Sequence, residues 1–117
     1  AVAALQEFIG EGILGDAGRQ VLIEEFLTGE EASVIAIVDG ETIKPFVISQ
    51  DYKRAFDGQT GPNTGGMGAI SPTPVLSEAR LPELVDEIFL PTLNELRRRG
   101  IRYRGFLYAG VMVTPQD

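Results

Sequence analysis

The stretch "EASVIAIVDGETIKPFVIS", Glu31 to Ser49, decides the fold class. Residues 31–38 are mostly small aliphatic and β-branched, the composition of a strand with a buried face. "DG" at 39–40 supplies two residues that tolerate the positive φ angles of a two-residue hairpin turn. Thr42 to Ser49 then reads as the returning partner. Pro45, with no N–H to give to a ladder, marks an edge or a bulge there.

Working outward, Arg19 to Phe26 reads as another strand, because "VLIEEF" opens with three aliphatics. Before it, "GEGILGDAG" is a flexible connector. Val2, Leu5, Phe8 and Ile9 recur at helical spacing, so residues 1–9 read as the end of a helix. Downstream, Met67 to Ser71 is a short strand and Ser77 a helix N-cap. Leu81, Leu84, Val85, Ile88, Phe89, Leu93 and Leu96 form the apolar stripe of one long helix. Pro91 lies inside that stripe and should bend or divide it. Arg97, Arg98 and Arg99 end the helix against its C-terminal dipole, a better reading than an anion site, and Gly100 is the C-cap. "FLYAGVMVT", 106–114, is a last strand whose antiparallel mate is not in the sequence. The sum is an α+β domain, a mostly antiparallel sheet with a long helix packed on it.

The chain has 117 residues, enough for one domain with a real core. Its net charge of −7 argues against a general nucleic-acid or anionic-membrane binder. No apolar run approaches the roughly 20 residues of a membrane-spanning helix. There is no Cys and no His, which removes thiol nucleophiles, disulfides, Ser-His-Asp triads and thiolate or imidazole zinc sites. Chemistry here must use carboxylates, Lys, Arg, backbone dipoles or a hard metal on oxygen ligands. The absence of Cys fits a reducing cytoplasm. The first residue is not Met and enters a helical pattern already in progress, so a piece of a longer protein is expected.

Three stretches can carry function. In "VLIEEFLTGEEAS", Glu24 and Glu25 close one predicted strand, and Glu30 and Glu31 begin the next. Adjacent strand residues face opposite sides, so one acid of a pair can face a cleft while the other meets water. A plain hairpin with solvated acids is the better reading in a generic sequence, against which stands the clustering of four carboxylates here. The backbone of Phe26 and Leu27 could meet an adenine edge, and a carboxylate can accept from ribose hydroxyls. In "QDYKRAFDG", Lys53 and Arg54 stand between Asp51 and Asp57, as anion-binding cations or as self-paired surface charges. "GQTGPNTGGMGAISP", 58–72, packs five glycines and two prolines into fifteen residues. It is either a nest of amides around an anion or a wide turn between strands. It lacks the spacing and terminal Lys of a Walker loop.

"VLIEEFLTGEEAS", "SQDYKRAFDGQTGPNTGGMGAISP" and "YRGFLYAGVMVT" resemble, in order and spacing, the phosphoribosylamine–glycine ligase family of ATP-grasp enzymes. "GPNTGGMGA" with "RGFLYAG" carries most of that likeness. Tyr52 departs from the His found in many relatives at "QDHKR". The resemblance implies an ATP-grasp fragment, with residues 1–23 the end of the small lid lobe and 24–117 an incomplete central lobe. It implies a purine-synthesis ligase that makes a glycyl phosphate from glycine and ATP, which 5-phosphoribosylamine then attacks. It places an adenine hinge at Glu24, Glu25, Phe26 and Leu27 and the ribose acid at Glu31. Lys53 and Arg54 would neutralise phosphate charge. Asp51, Asn63, Thr64, Gly65, Gly66 and Met67 would face the phosphoribosylamine and glycine.

The family's magnesium ligands are expected beyond residue 117, and its phosphate-contacting Lys before the first helix. The isolated chain is therefore expected to be inactive. ATP and magnesium are the implied cofactors, with a cytoplasmic setting and no nucleic-acid or membrane partner. Another ATP-grasp carboxylate–amine ligase, or a non-catalytic nucleotide-binding module, are the alternatives.

Overall fold

A computed structural model describes residues 2–115. Its centre is β1 (Glu30–Val38), flanked by β2 (Ile43–Pro45) and by β7 (Gly105–Val113), both antiparallel to it. The β1–β7 register runs unbroken from Glu30 opposite Val113 to Val38 opposite Gly105, so the last strand finds its antiparallel mate within the chain, contrary to the expectation from sequence, which had no long-range pairing to go on. Period-two alternation then sorts the side chains. Ala32, Val34, Ala36 and Val38 are buried on one face, while Glu31, Ile35 and Ile37 are only part-covered or exposed.

The buried face meets a continuous helical run. Its first turn, Glu78–Arg80, is capped by Ser77, whose Oγ accepts from the Ala79 N–H at 3.3 Å. α2 (Leu81–Leu84) and α3 (Leu90–Arg98) follow, joined by a π-helical turn at Val85–Phe89. In that wider turn the Leu90 N–H bonds back to the Val85 carbonyl. Pro91 lies immediately beyond. A proline ring has no N–H and presses on the carbonyl four residues back. The π-turn makes room for it, so the helix widens there and continues. Leu84 and Phe89 from this stripe join Ala32, Val34, Ala36, Ile48, Leu76 and Ala109 in one apolar cluster. Leu81, Val85 and Ile88 pack against that cluster, and Leu93 is also buried.

The hairpin differs from expectation in its turn. Val38 faces Ile43, so the connection is Asp39–Thr42 rather than the two residues of "DG". Asp39 explains this, since its Oδ1 accepts from the Thr42 N–H at 2.9 Å and the Glu41 N–H at 3.1 Å. Those two donors, Thr42 first, hold the Asp39 carboxyl below its usual range. A depressed carboxylate stabilises the folded turn above its unfolded pKa, and the contribution is lost as pH falls through the folded value. Asp39→Ala is therefore expected to speed amide exchange at Glu41 and Thr42 several-fold at neutral pH. The difference should vanish at a pH below the carboxyl's titration; equal exchange in both proteins at neutral pH would contradict this.

β2 is shorter than Thr42–Ser49 because the ladder slips. Ala36 faces Pro45, yet Ser33 faces Ser49, so the returning strand carries one extra residue. This is a bulge on an edge strand, as Pro45 indicated.

Arg19–Phe26 is not a strand. Gly15–Arg19 forms a short 3-10 turn, and residues 21–28 run without assigned strand structure. Leu22 and Phe26 are 82% and 88% exposed. Strand propensity is realised only against a pairing neighbour, and no described strand lies beside this run. The chain re-enters order at Gly29, where a Cβ would stand 2.2 Å from the Val113 carbonyl oxygen, so only glycine fits. Residues 50–70 make two small antiparallel pairs: β3 (Gln50–Asp51) with β6 (Ala69–Ile70), and β4 (Arg54–Phe56) with β5 (Thr60–Asn63). The strand expected at Met67–Ser71 is thus β6. At the N-terminus, α1 (Val2–Leu5) passes into a π-turn, Gln6–Gly10, close to the helix expected over 1–9. No described helix is long and apolar enough to cross a membrane.

Candidate functional site

The cleft of interest opens where β1 begins. One wall is Phe26 to Glu31, the other is Gln50, Asp51, Lys53 and Arg54, with Gln59, Asn63 and Met112 completing it. The topology explains the meeting. β1 presents Glu31 on the face opposite the helix, and Met112 stands beside it across the β1–β7 ladder. The bridge of Ser33 to Ser49 ties the following residues, 50–54, alongside the start of β1.

Lys53 Nζ forms an ion pair with Glu31 Oε1. The hydrogen bond to Glu31 raises the Lys53 pKa above its ordinary value, against the opposing effect of burial. The Glu31 charge adds to this, with lesser help from Tyr108 and Asp51. Arg54 behaves differently: its Nη1 donates to the Gly61 carbonyl at 2.7 Å, clipping the β4–β5 hairpin.

The glycine-rich stretch spends several of its amides on bonds within the protein. Thr60–Asn63 lies in a strand pair. The Thr64 N–H donates to the Lys53 carbonyl at 2.6 Å, and the Thr64 hydroxyl donates to the same oxygen at 2.9 Å. The Gly66 N–H donates to Thr64 Oγ1, and the Met67 N–H to the Tyr52 carbonyl. Of the two open readings, these bonds fit the turn between strands. Pairing satisfies those donors without any anion.

The structure therefore gathers Phe26, Leu27, Glu31, Asp51, Lys53, Arg54 and Asn63 around one cleft. Glu24 and Glu25 are exposed on the extended run before it and do not line it. Thr64, Gly65, Gly66 and Met67 also lie outside its lining; Met67 borders a neighbouring hollow with Tyr52, Arg54 and Phe56. Thr64 instead holds the Lys53 backbone in place. Gly66 adopts φ +128° with Asp51 Oδ1 only 2.9 Å from where a Cβ would sit, whereas the space beside Gly65 is open.

Met112 was not singled out by the sequence, nor were Ser33 and Tyr108. Tyr108 stands 55% exposed on β7, with its hydroxyl 2.8 Å from Ser33 Oγ. Only the β1–β7 register reveals them, since Ser33 and Tyr108 are far apart in sequence. Among the described residues no group of three or more His, Cys, Asp or Glu is placed to hold a metal ion.

The cleft, with an acid and a lysine on an antiparallel α+β scaffold, belongs to an ATP-grasp fragment, as the comparisons show. The family model "Phosphoribosylglycinamide synthetase, ATP-grasp (A) domain" matches residues 1–117, and the chain belongs to that family. Its relatives carry the name phosphoribosylamine–glycine ligase. The one from Halalkalibacterium halodurans is 51% identical over 114 residues, covering 97% of this chain and 27% of its own length. That from Leptospira interrogans is 50% identical over 115 residues, covering 98% and 27%. The crystal structure of the Thermotoga maritima phosphoribosylamine–glycine ligase superposes with a TM-score of 0.73 at 38% identity. The match covers 96% of this chain and 30% of that one. The chain thus spans about 27% of the length of the curated relatives it matches.

Proposed function

We propose that this chain is part of a phosphoribosylamine–glycine ligase, in which ATP activates the glycine carboxylate as a glycyl phosphate. The amine of 5-phosphoribosylamine attacks the acyl carbon, forms the amide bond and expels inorganic phosphate. The observation that carries this reading is the placement of Glu31 in one cleft with the exposed residues Phe26 and Leu27 and with Lys53, Asp51 and Asn63. The backbone edge at Phe26–Leu27 suits an adenine, and the Glu31 carboxylate suits two ribose hydroxyls. Lys53 brings a positive charge to a reaction that depends on charge neutralisation and positioning.

Glu24 and Glu25 flank the hinge from outside the cleft. Thr64, Gly65, Gly66 and Met67 act through the loop that carries Lys53, rather than as a nest of free amides. Residues 1–23 are assigned to the lid lobe and 24–117 to the central lobe, a division supported by the unpaired run at 21–28. Magnesium accompanies ATP in this reading and the setting is cytoplasmic. The test is direct: purified full-length protein should release ADP and phosphate only when glycine and phosphoribosylamine are both supplied. ADP release that ignores either substrate would overturn the assignment.

The loop gives a finer test. Gly65→Val meets open space, so its cost in stability should stay within about 0.5 kcal/mol. Turnover is nonetheless expected to fall about tenfold, because a branched residue stiffens the loop beside Thr64. Gly66→Val strains a backbone closed to L residues, a cost of about 1–3 kcal/mol, and crowds Asp51. It should lose stability and turnover together. Melting curves alongside steady-state kinetics separate the two; a normal turnover for Gly65→Val would make the stretch purely structural.

A further inference from the structure

The residue read as the ribose acceptor and the residue read as the phosphate-neutralising cation are bonded to each other. Glu31 and Lys53 form an ion pair with side chains 39% and 28% exposed. Such half-covered pairs are modest in strength, so either partner can be exchanged for a better one. The two backbones are held in place, so any exchange of partners falls to the side chains. Glu31 is locked in the β1–β7 ladder opposite Met112. The Lys53 carbonyl is held by both the N–H and the hydroxyl of Thr64. Arg54, by contrast, is committed to the Gly61 carbonyl, so Lys53 is the cation available to swing.

Resting on the reading of Glu31 given above, we infer that Glu31 and Lys53 are an exchange pair. The 2′- and 3′-hydroxyls of a bound nucleotide take the Glu31 oxygens as bidentate acceptors. The Lys53 ammonium, displaced from that carboxylate, is presented to the anionic second substrate on the far side of the cleft. Nucleotide occupancy thereby improves the site for a phosphate-bearing sugar, and the coupling is carried by the ribose diol. Thermodynamic linkage makes the effect reciprocal.

The experiment uses full-length protein and ribose 5-phosphate as the probe. Its affinity is measured by calorimetry alone, with saturating ATP, and with saturating 2′,3′-dideoxy-ATP. ATP should tighten ribose 5-phosphate about 5- to 10-fold, a coupling of ordinary size. Dideoxy-ATP, which lacks the diol, should leave it unchanged, and Lys53→Met should erase the difference between the two nucleotides. Equal tightening by both nucleotides, no tightening by either, or a difference that survives Lys53→Met would overturn the exchange. Failure of ATP itself to bind would instead overturn the nucleotide-site reading, and the exchange with it.

Discussion

Glu31→Ala in the full-length protein is expected to raise the ATP dissociation constant about 10- to 100-fold. A hydrogen bond to a charged acceptor contributes about 1.5–3 kcal/mol, and each 1.4 kcal/mol is tenfold in affinity. The substitution removes both oxygens offered to the ribose. It leaves the strand intact, because Glu31 points away from the helix-packed face and its backbone pairing does not depend on the side chain. Part of the loss is offset, since Lys53 gives up its own hold on that carboxylate. Glu31→Gln keeps one acceptor oxygen without charge and should fall between. Calorimetry with ATP checks all three proteins, and an unchanged constant for the alanine variant would remove Glu31 from the site.

Phe89→Ala is expected to cost about 3–5 kcal/mol of stability, the usual range for emptying a fully buried phenyl site. Against a total of about 5–15 kcal/mol for a typical domain, that is a large part. Phe89 has no exposed surface, and it shares the core with the equally buried Val34 and Ile48. It belongs to the π-turn Val85–Phe89 that precedes Pro91. Urea denaturation of wild type and variant measures the cost. A loss below about 1 kcal/mol would mean that the helix-on-sheet core does not carry the fold.

Much of this architecture was legible because it depends on local pattern. The stripe from Leu81 to Leu93 reads as a buried helix face at any angle to the sheet, and Ser77 caps it through a bond two residues away. Pro45 announced an edge or a bulge, and both occur, since neither a ladder donor nor a free φ is available to it. The aliphatic run at 21–23 failed for the complementary reason. It states that those residues pack somewhere, not that a neighbouring strand stands within reach. "DG" misled because Asp39 has a side chain that caps the turn itself, drawing in Thr42.

At the site, residue type was legible and pairing was not. The sequence singled out Glu31 and Lys53 as functional and gave them to separate substrates. Their contact depends on how the bulge after Pro45 delivers residue 53 to the mouth of β1. The glycine-rich stretch allowed an amide nest or a turn because glycines permit both. Thr64 contributes to the turn by donating its hydroxyl and amide to the Lys53 carbonyl. Tyr108 lies opposite Ile35, and its hydroxyl reaches Ser33 diagonally across the ladder, a contact visible only once the β1–β7 register is known.

The central claim is that the mouth of β1 receives a purine nucleoside. A structure of the full-length protein crystallised with an unhydrolysable ATP analogue addresses it in one step. The account predicts the adenine edge on the Phe26–Leu27 backbone and the ribose hydroxyls on Glu31, with Lys53 turned from that carboxylate toward the anionic side of the cleft. An adenine bound elsewhere, or a ribose that leaves Glu31 untouched, would contradict it.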